Sequence, residues 1–269
     1  MDASRRRQPL LLILVAGLLA LAAWHQRPDG LLHLTVLPTP GDAFLIRTPA
    51  GRAVLIDGGR DPAQLPLLLG RYLPFWQREL DAMLLTRSDG RRLPGQVAAL
   101  ARYRPALALA PHDLGRGGTA AEWRRVLATT RTPIATLRPG QRLALDGATL
   151  TVLAANPGET GGAVLLLSYG RTRALLHTGG PAGDAAAAAA AGAPLDLLVY
   201  PWQRALDTPA IAALRPRAIV FSEAYEAPAP ALLSYADRRR YSPRLYHPKN
   251  DGAIDLVSDG RRAWIVTGP

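Results

Sequence analysis

The residues best suited to chemistry follow an apolar run that ends at Leu85. An apolar run that opens into a polar, glycine-bearing turn indicates a buried strand that delivers a loop at its carboxyl end, where α/β folds place their ligand sites. This loop carries Arg87, Asp89, Arg91 and Arg92. A catalytic metal site needs several converging His or carboxylate ligands and an open position for water. One carboxylate beside three cations instead predicts an ion-pair cluster in which Asp89 is the partner of the arginines.

Three other predicted strands end in residues that would face the same region. Asp57 closes one strand before two glycines, and we expect its carboxylate to orient the neighbouring loops by accepting backbone N–H groups. His177 precedes another Gly-Gly turn, and we expect a packed or partly exposed ring there. The third strand is followed by Trp202, Gln203 and Arg204. Because the sequence offers no Ser-His-Asp arrangement and no phosphate-binding glycine loop before a helix, we assign no catalytic residue.

The grouping of arginines with an aromatic side chain predicts a cleft for anions. A guanidinium can satisfy by charge what a metal satisfies by coordination, so such a cleft could hold phosphate without cleaving it. Stacking of a base on Trp202 beside Arg204 would suit single-stranded DNA or another single-stranded polyanion. The alternative is that the arginines are solvated or paired with Asp89, Glu223 and Glu226.

The composition is that of a basic globular protein. The chain has 269 residues, of which 48% are hydrophobic, enough for one large core. Its formal net charge is +11, and Lys249 is the only lysine, so arginine supplies nearly all of the positive charge. This charge favours polyanionic partners such as nucleic acid or anionic lipid headgroups. The absence of cysteine excludes disulfides, thiolate metal ligands and a Cys nucleophile.

Residues 1–30 have the pattern of a membrane-targeting segment. Arg5-Arg6-Arg7 precedes an uncharged apolar run over residues 9–24. Basic residues before such a run hold the N-terminus in the cytoplasm, which predicts a single-pass anchor in the cell membrane and one extracytoplasmic domain over residues 31–269. The run is shorter than the ~20 residues of a comfortable span. Because Ala20-Leu21-Ala22 resembles a cleavage site, secretion after signal cleavage is the alternative.

The order of elements predicts a four-layer αββα sandwich, because two successive halves each contain β-hairpins followed by alternating strands and helices. Asp61 and Pro62 mark the start of a helix that is expected to run to about Tyr72. Asp184 is expected to cap an alanine-rich helix over residues 185–191. The other predicted helices cover residues 95–103, 120–130 and 230–239. The predicted strands cover residues 31–37, 43–47, 53–59, 80–85, 105–111, 143–145, 149–153, 163–169, 174–177, 195–200, 218–222, 253–257 and 263–266.

Five short motifs, taken in order, resemble a known family. They are Gly41-Asp42-Ala43-Phe44-Leu45-Ile46, Val54-Leu55-Ile56-Asp57-Gly58-Gly59, Leu84-Leu85-Thr86, Leu175-Leu176-His177-Thr178-Gly179-Gly180 and Asp251-Gly252-Ala253-Ile254. With them, residues 32–266 resemble the metallo-β-lactamase-fold domain at the C-terminus of ComEC, the competence protein of bacterial DNA uptake. The resemblance implies that fold. In the family, a central Thr-His-x-Asp-x-Asp-His-x-Gly-Gly loop binds the metals that activate water for phosphodiester hydrolysis.

Most metal-binding positions that the resemblance implies carry other residues in this chain. At the central loop Asp89 is retained, and the family's remaining ligands correspond to Arg87, Arg91 and Arg92. At other loops the residues that stand where the family has metal ligands are Gly180, Trp202, Gln203 and Ala227. The resemblance therefore implies a retained fold with a lost metal site.

Three hypotheses follow. The first is a membrane-tethered pseudoenzyme that binds DNA or another polyanion, with no cofactor and no metal ligand. The second is a Zn- or Mn-dependent hydrolase or nuclease with a rearranged site, which needs at least three of Asp57, Asp89, His112 and His177 to converge. The third is a scaffold domain for a membrane protein partner, in which Trp202 and Leu93 plug the cleft.

Overall fold

The computed structural model of the protein describes residues 26–156, 161–189, 194–222 and 235–268, together with Gly17, Trp24 and Gly192. Two large β-sheets face each other across one apolar core. Buried side chains of both sheets, such as Phe44 and Leu165, belong to this core. The apolar strands form because each buries its side chains on two faces, against the other sheet and against a helix layer.

The first sheet has eight strands in the order β17-β16-β1-β2-β3-β5-β7-β8. It is antiparallel from β17 to β3 and parallel from β3 to β8. The strands β4 and β6 pair with each other in parallel and form a separate two-stranded sheet. The strands that occur in these two sheets are β1 (Leu32–Val36), β2 (Ala43–Arg47), β3 (Ala53–Asp57), β4 (Glu79–Leu80), β5 (Ala82–Leu84), β6 (Arg104–Pro105), β7 (Ala108–Ala110), β8 (Ile134–Thr136), β16 (Ala253–Ser258) and β17 (Ala263–Gly268).

The second sheet has seven strands in the order β15-β14-β13-β12-β11-β10-β9. It is antiparallel from β9 to β12 and parallel from β12 to β15. Its strands are β9 (Arg142–Leu145), β10 (Ala148–Asn156), β11 (Gly162–Tyr169), β12 (Thr172–His177), β13 (Leu197–Pro201), β14 (Ala218–Ser222) and β15 (Arg244–Tyr246). The carboxyl ends of parallel strands meet at one edge of a sheet, so the loops after β12 and β13 lie together.

Helices cover the outer face of each sheet. Trp123 and Leu65 belong to the buried cluster on the first sheet, and Ile211 and Ala187 to the cluster on the second. The helices are α1 (Gln64–Tyr72), α2 (Leu93–Ala99), α3 (Gly118–Thr129), α4 (Asp184–Ala189), α5 (Pro209–Leu214), α6 (Tyr235–Arg238) and α7 (Pro248–Asp251). A 3₁₀ turn over Pro181–Gly183 precedes α4. The predicted αββα sandwich is confirmed.

Two predicted helix starts are wrong. The first helix begins at Gln64, because the Asp61 carboxylate accepts the N–H of Ala63 and forms a turn before the helix. Asp184 is the first residue of α4, and its carboxylate forms hydrogen bonds with His177 and Arg204 instead of capping the helix. The predicted strand over residues 80–85 is interrupted at Asp81, whose carboxylate accepts the Nε–H of Arg52 and the N–H of Ala53.

Other departures involve short elements. The strands β8 and β15 and the helices α5 and α7 carry too few residues for a periodic pattern, and they were not predicted. The predicted helix over residues 230–239 lies partly outside the described residues. Within the ranges that the structure describes, no helix has the length and apolarity to cross a membrane. Apart from Gly17 and Trp24, the predicted anchor over residues 9–24 lies outside the described residues.

Candidate functional site

Arg92 is at the centre of the cleft between the two sheets. Its side chain is fully buried and its guanidinium faces three carboxylates. Nη1 donates to Asp89 Oδ2 at 2.7 Å, Nη2 lies 3.3 Å from Asp42 Oδ2, and Nε lies 3.3 Å from Asp57 Oδ2. Nη2 also donates to the carbonyl of Thr178 at 2.8 Å. One cation therefore joins residues from both halves of the chain.

The local structure explains how Arg92 reaches this position. Arg92 is the N-cap residue of α2, directly after the loop that follows β5. Gln96 in α2 donates to the carbonyl of Leu84 and accepts the indole N–H of Trp123, which fixes the helix against the sheet. A Cβ on Gly95 would overlap the carbonyl oxygen of Gly58, so only glycine permits this approach of helix and loop.

Asp57 lies at the end of β3 with a positive φ of 56°, a conformation that non-glycine residues rarely adopt. Its carboxylate accepts the N–H of Thr86 at 2.7 Å and the hydroxyl of Thr86 at 2.6 Å. Burial raises the pKa of Asp57 to about 7, although the Arg92 charge and the Thr86 hydrogen bonds act in the opposite direction. Asp57 thus joins the β3 loop to the β5 loop and to Arg92.

The loop before Arg92 is organised by Asp89. Asp89 Oδ2 lies 3.2 Å from Arg87 Nε in addition to its bond with Arg92. Asp89 Oδ1 accepts the backbone N–H of Arg91 at 2.9 Å. The carboxylate is surrounded by cationic and N–H donors.

A second buried arginine lies on the other side of Thr178. Arg204, 7% exposed, donates from Nη2 to Asp184 Oδ2 at 2.6 Å, and its guanidinium lies 4.7 Å from the ring centre of Tyr200. Nη1 lies 3.3 Å from His177 Nε2 and 3.4 Å from the carbonyl oxygen of Gly179. The chain segments after β12 and β13 are joined by these contacts.

The His177 ring is neutral in this arrangement. Its Nδ1 accepts the N–H of Gly179 at 3.4 Å, so the proton is on Nε2, which donates to Asp184 Oδ1 at 3.0 Å. Burial lowers the pKa of His177, and the nearby Arg204 charge lowers it further. Burial would raise the pKa of Asp184, but hydrogen bonds from His177 and Arg204 lower it to about 2.

A third buried arginine, Arg238, packs on Trp202. Its guanidinium lies 4.1 Å from the centre of the Trp202 ring and donates to the Trp202 carbonyl at 2.9 Å. The indole ring also makes edge contacts with Phe221 and His247. Because one face of the indole is covered by Arg238, base stacking on that face would require Arg238 to move. The adjacent Gln203 has a buried Oε1 that accepts no hydrogen bond within the described residues.

These residues do not fit a divalent metal. The Arg92 guanidinium fills the space between the three carboxylates, and an arginine cannot be deprotonated to make room for a second cation. Within the part of the chain that the structure describes, no three His or carboxylate side chains are arranged to hold a metal ion. His112 is exposed and belongs to no such group of side chains.

A cavity of about 260 Å³ lies beside Asp42. It is lined by Thr39 and Ser222, whose buried hydroxyl oxygens make no hydrogen bond within the described residues. His247 and Lys249 also line it. Among the described residues, Asp42 and Lys249 are its charged lining residues besides His247, and no arginine lines it.

Comparison with solved structures identifies the fold. The chain superposes on the metallo-β-lactamase fold protein YhfI from Bacillus subtilis with a TM-score of 0.53 and 12% identity, over 80% of this chain and 96% of that chain. The chain has the metallo-β-lactamase fold. Zn²⁺-bound PqqB from Methylobacterium extorquens gives a TM-score of 0.51 and 12% identity, over 80% of this chain and 97% of that chain. No protein-family model and no curated protein sequence matches the chain.

A third similar structure is CmlA, a diiron β-hydroxylase from Streptomyces venezuelae, with a TM-score of 0.53 and 15% identity. The superposition covers 80% of this chain and 52% of CmlA. Likeness at these identities concerns the fold and leaves the activity open.

Most of the sequence-predicted site residues lie in two joined clusters. In the first, Asp57 and Asp89 contact Arg92, and Arg87 and Arg91 contact Asp89. His177 and Arg204 form the second cluster with Asp184. Trp202, which packs on Arg238, and Gln203 belong to neither cluster. Sequence reasoning missed Asp42 and Arg238 as members of the site. Asp42 was visible in the Gly-Asp-Ala motif, but its pairing with Arg92, fifty positions later, had no sequence signal. Glu223 and Glu226, the other expected partners of the arginines, lie outside the described residues.

Proposed function

We propose that this chain is a non-catalytic metallo-β-lactamase-fold protein, a pseudoenzyme related to the ComEC C-terminal domain. The observation that supports this best is the buried Arg92 guanidinium, which forms ion pairs with the carboxylates of Asp42, Asp57 and Asp89. A fixed positive charge there balances the acidic residues without binding or activating water. Three of the family's ligands in the same loop correspond to arginines, in line with this role.

We further propose that residues 9–24 anchor the chain in the membrane, with the folded domain outside the cytoplasm. The basic cluster before the apolar run supports that orientation. The pairing of Arg92 and Arg204 with carboxylates counts against the cleft as the main binding site for DNA. The domain then acts through its surfaces, as a scaffold for a partner at the membrane.

Metal analysis of the purified full chain tests the loss of catalysis. After equilibration with Zn²⁺ and Mn²⁺ and removal of free metal, elemental analysis should find far less than one equivalent per chain. Cleavage of a phosphodiester such as bis-p-nitrophenyl phosphate should equal that of a buffer control. The Asp89→Ala variant should behave like the parent, as should the matched surface variant Asp207→Ala.

One outcome would overturn the proposal. If about one or more metal equivalents were retained and lost in Asp89→Ala but not in Asp207→Ala, the chain would be a metal-dependent hydrolase with a rearranged site. Phosphodiesterase activity that followed the same pattern would establish the reaction.

A further inference from the structure

An arginine-lined groove occurs at the end of the first sheet opposite the cleft. It encloses about 980 Å³ and is lined by Arg47 at the end of β2 and by Arg52, directly before the start of β3. The cleft residue Asp57 is at the other end of β3, so the groove and the cleft are separated by the length of a strand, roughly 13 Å. The groove is therefore a separate surface.

Cations outnumber carboxylates in this groove. Six arginines line it, with three carboxylates. Two of the carboxylates are occupied, because Asp29 binds His33 and Asp81 binds Arg52. Arg27, Arg71, Arg78 and Arg104 are exposed residues of this groove.

The exposed Trp76 lines the same groove, and the neighbouring Phe75 packs against it. Phe75 and Trp76 are 41% and 46% exposed and form an edge-on pair with ring centres 4.9 Å apart. Arg78 donates from Nη1 to the carbonyls of Phe75 and Gln77, which holds this turn in shape. Large aromatic side chains beside cations are the residues that favour the headgroup region of a bilayer.

The aromatic turn is tied to the chain that leaves the apolar segment. The N–H of Phe75 donates to Gln26 Oε1 at 2.8 Å. Gln26 is two positions after Trp24, which is 65% exposed and lies against the guanidinium of Arg27 at 4.5 Å. Two residues of extended chain reach about 7 Å. A membrane span that ends at Trp24 would therefore place Phe75, Trp76 and the exposed arginines at the headgroups.

On the basis of the membrane tether proposed above, we propose that this groove docks on anionic phospholipid headgroups. The arginines bind the lipid phosphates, and Phe75 and Trp76 enter the interface. The contact holds the domain against the bilayer in one orientation and leaves the cleft side facing away. A lipid surface is favoured over nucleic acid because the aromatic pair is edge-on rather than a flat stacking platform, and because the groove adjoins the predicted span.

Quenching of tryptophan fluorescence by brominated lipids tests the docking. The full chain is reconstituted in vesicles of phosphatidylcholine and phosphatidylglycerol that carry bromine on the acyl chains near the headgroup. The Trp24→Phe/Trp264→Phe variant retains Trp76, the buried Trp123 and the partly buried Trp202, and the further Trp76→Phe variant isolates the Trp76 signal by difference. We expect clear quenching of Trp76, which decreases severalfold in high salt or in purely zwitterionic vesicles.

Matched arginine variants test the charge. Arg71→Gln/Arg78→Gln/Arg104→Gln should abolish most of the Trp76 quenching. The control variant Arg125→Gln/Arg138→Gln/Arg171→Gln carries the same loss of charge outside the groove and should retain it. Equal quenching in the two triple variants would overturn the proposal.

The same vesicles separate failure of the docking from failure of the tether. Trp24 is read in the Trp76→Phe/Trp264→Phe variant. Quenched Trp24 with unquenched Trp76 would refute the docking and leave the tether intact. Unquenched Trp24, in a chain that does not float with the vesicles, would refute the tether. Salt-sensitive binding of a single-stranded oligonucleotide that is lost only in the groove variant, with no quenching of Trp76, would assign the groove to nucleic acid instead.

Discussion

Replacement of Arg92 by methionine removes the charge of the buried cluster while keeping much of the side-chain volume. The side chains of Arg92, Asp42 and Asp57 have at most 1% exposure, so water cannot compensate the carboxylates that remain. Removal of one partner from a buried ion pair costs roughly 3–5 kcal/mol. For a chain of this size that corresponds to a fall in Tm of about 6–20 °C.

The cost of Arg92→Met should depend on pH. Without the guanidinium, the pKa values of the buried carboxylates rise above their unfolded values, so the native state takes up protons that the unfolded state does not hold. The destabilisation is then greatest above neutral pH and decreases as the carboxylates are protonated at lower pH. In the parent, the raised Asp57 pKa of about 7 has an effect in the same direction. As the pH rises from 3.8, the carboxyl ionises in the unfolded state first, so the free energy of unfolding falls until the pH reaches about 7.

Urea unfolding of the full chain at pH 5 and pH 8 measures both effects. The triple variant Arg92→Met/Asp42→Asn/Asp57→Asn should recover much of the lost stability, since it removes the two fully buried carboxylate charges that the first substitution leaves without Arg92. Arg125→Met, at an exposed ion pair with Glu122, should leave stability unchanged. A cost for Arg92→Met below about 1 kcal/mol, or an equal cost at both pH values, would refute the account of this cluster as a buried charge balance.

Three further substitutions test other parts of the structure. The Asp184 pKa is lowered to about 2 from 3.8, so the stability that its charge contributes is complete above about pH 4 and is lost as the pH falls towards 2. Asp184→Asn should therefore flatten the dependence of unfolding free energy on pH between about 2 and about 4 in urea unfolding. An unchanged dependence would contradict the contacts of Asp184 with His177 and Arg204. Gly95→Ala should destabilise the domain by about 1–3 kcal/mol or more, because the new Cβ overlaps the Gly58 carbonyl, whereas Gly90→Ala, with open space around it, should have little effect in the same thermal melts. Arg238→Gln should uncover the Trp202 ring and increase quenching of tryptophan fluorescence by acrylamide, and unchanged quenching would show that the stacking in the structure is not maintained.

The sequence by itself determined the architecture. Strands β2 and β14 occur at their predicted bounds, because each is an apolar run between turn residues and buries both faces in the sandwich. The helix starts at Asp61 and Asp184 were wrong because carboxylates that commonly cap helices made other hydrogen bonds. Local patterns do not specify which of several donors an aspartate will bind.

Only the tertiary structure decided the state of the arginines. The sequence placed cations at the loops that face the cleft and left open whether they bind a ligand or pair with carboxylates. Arg92 is paired with Asp42 and Arg204 with Asp184, residues that are 50 and 20 positions apart in the chain. These pairs arise because the carboxyl ends of strands from both sheets meet at one cleft, where a buried guanidinium needs a carboxylate within hydrogen-bond distance. That requirement depends on burial, which exists only after the two sheets have packed.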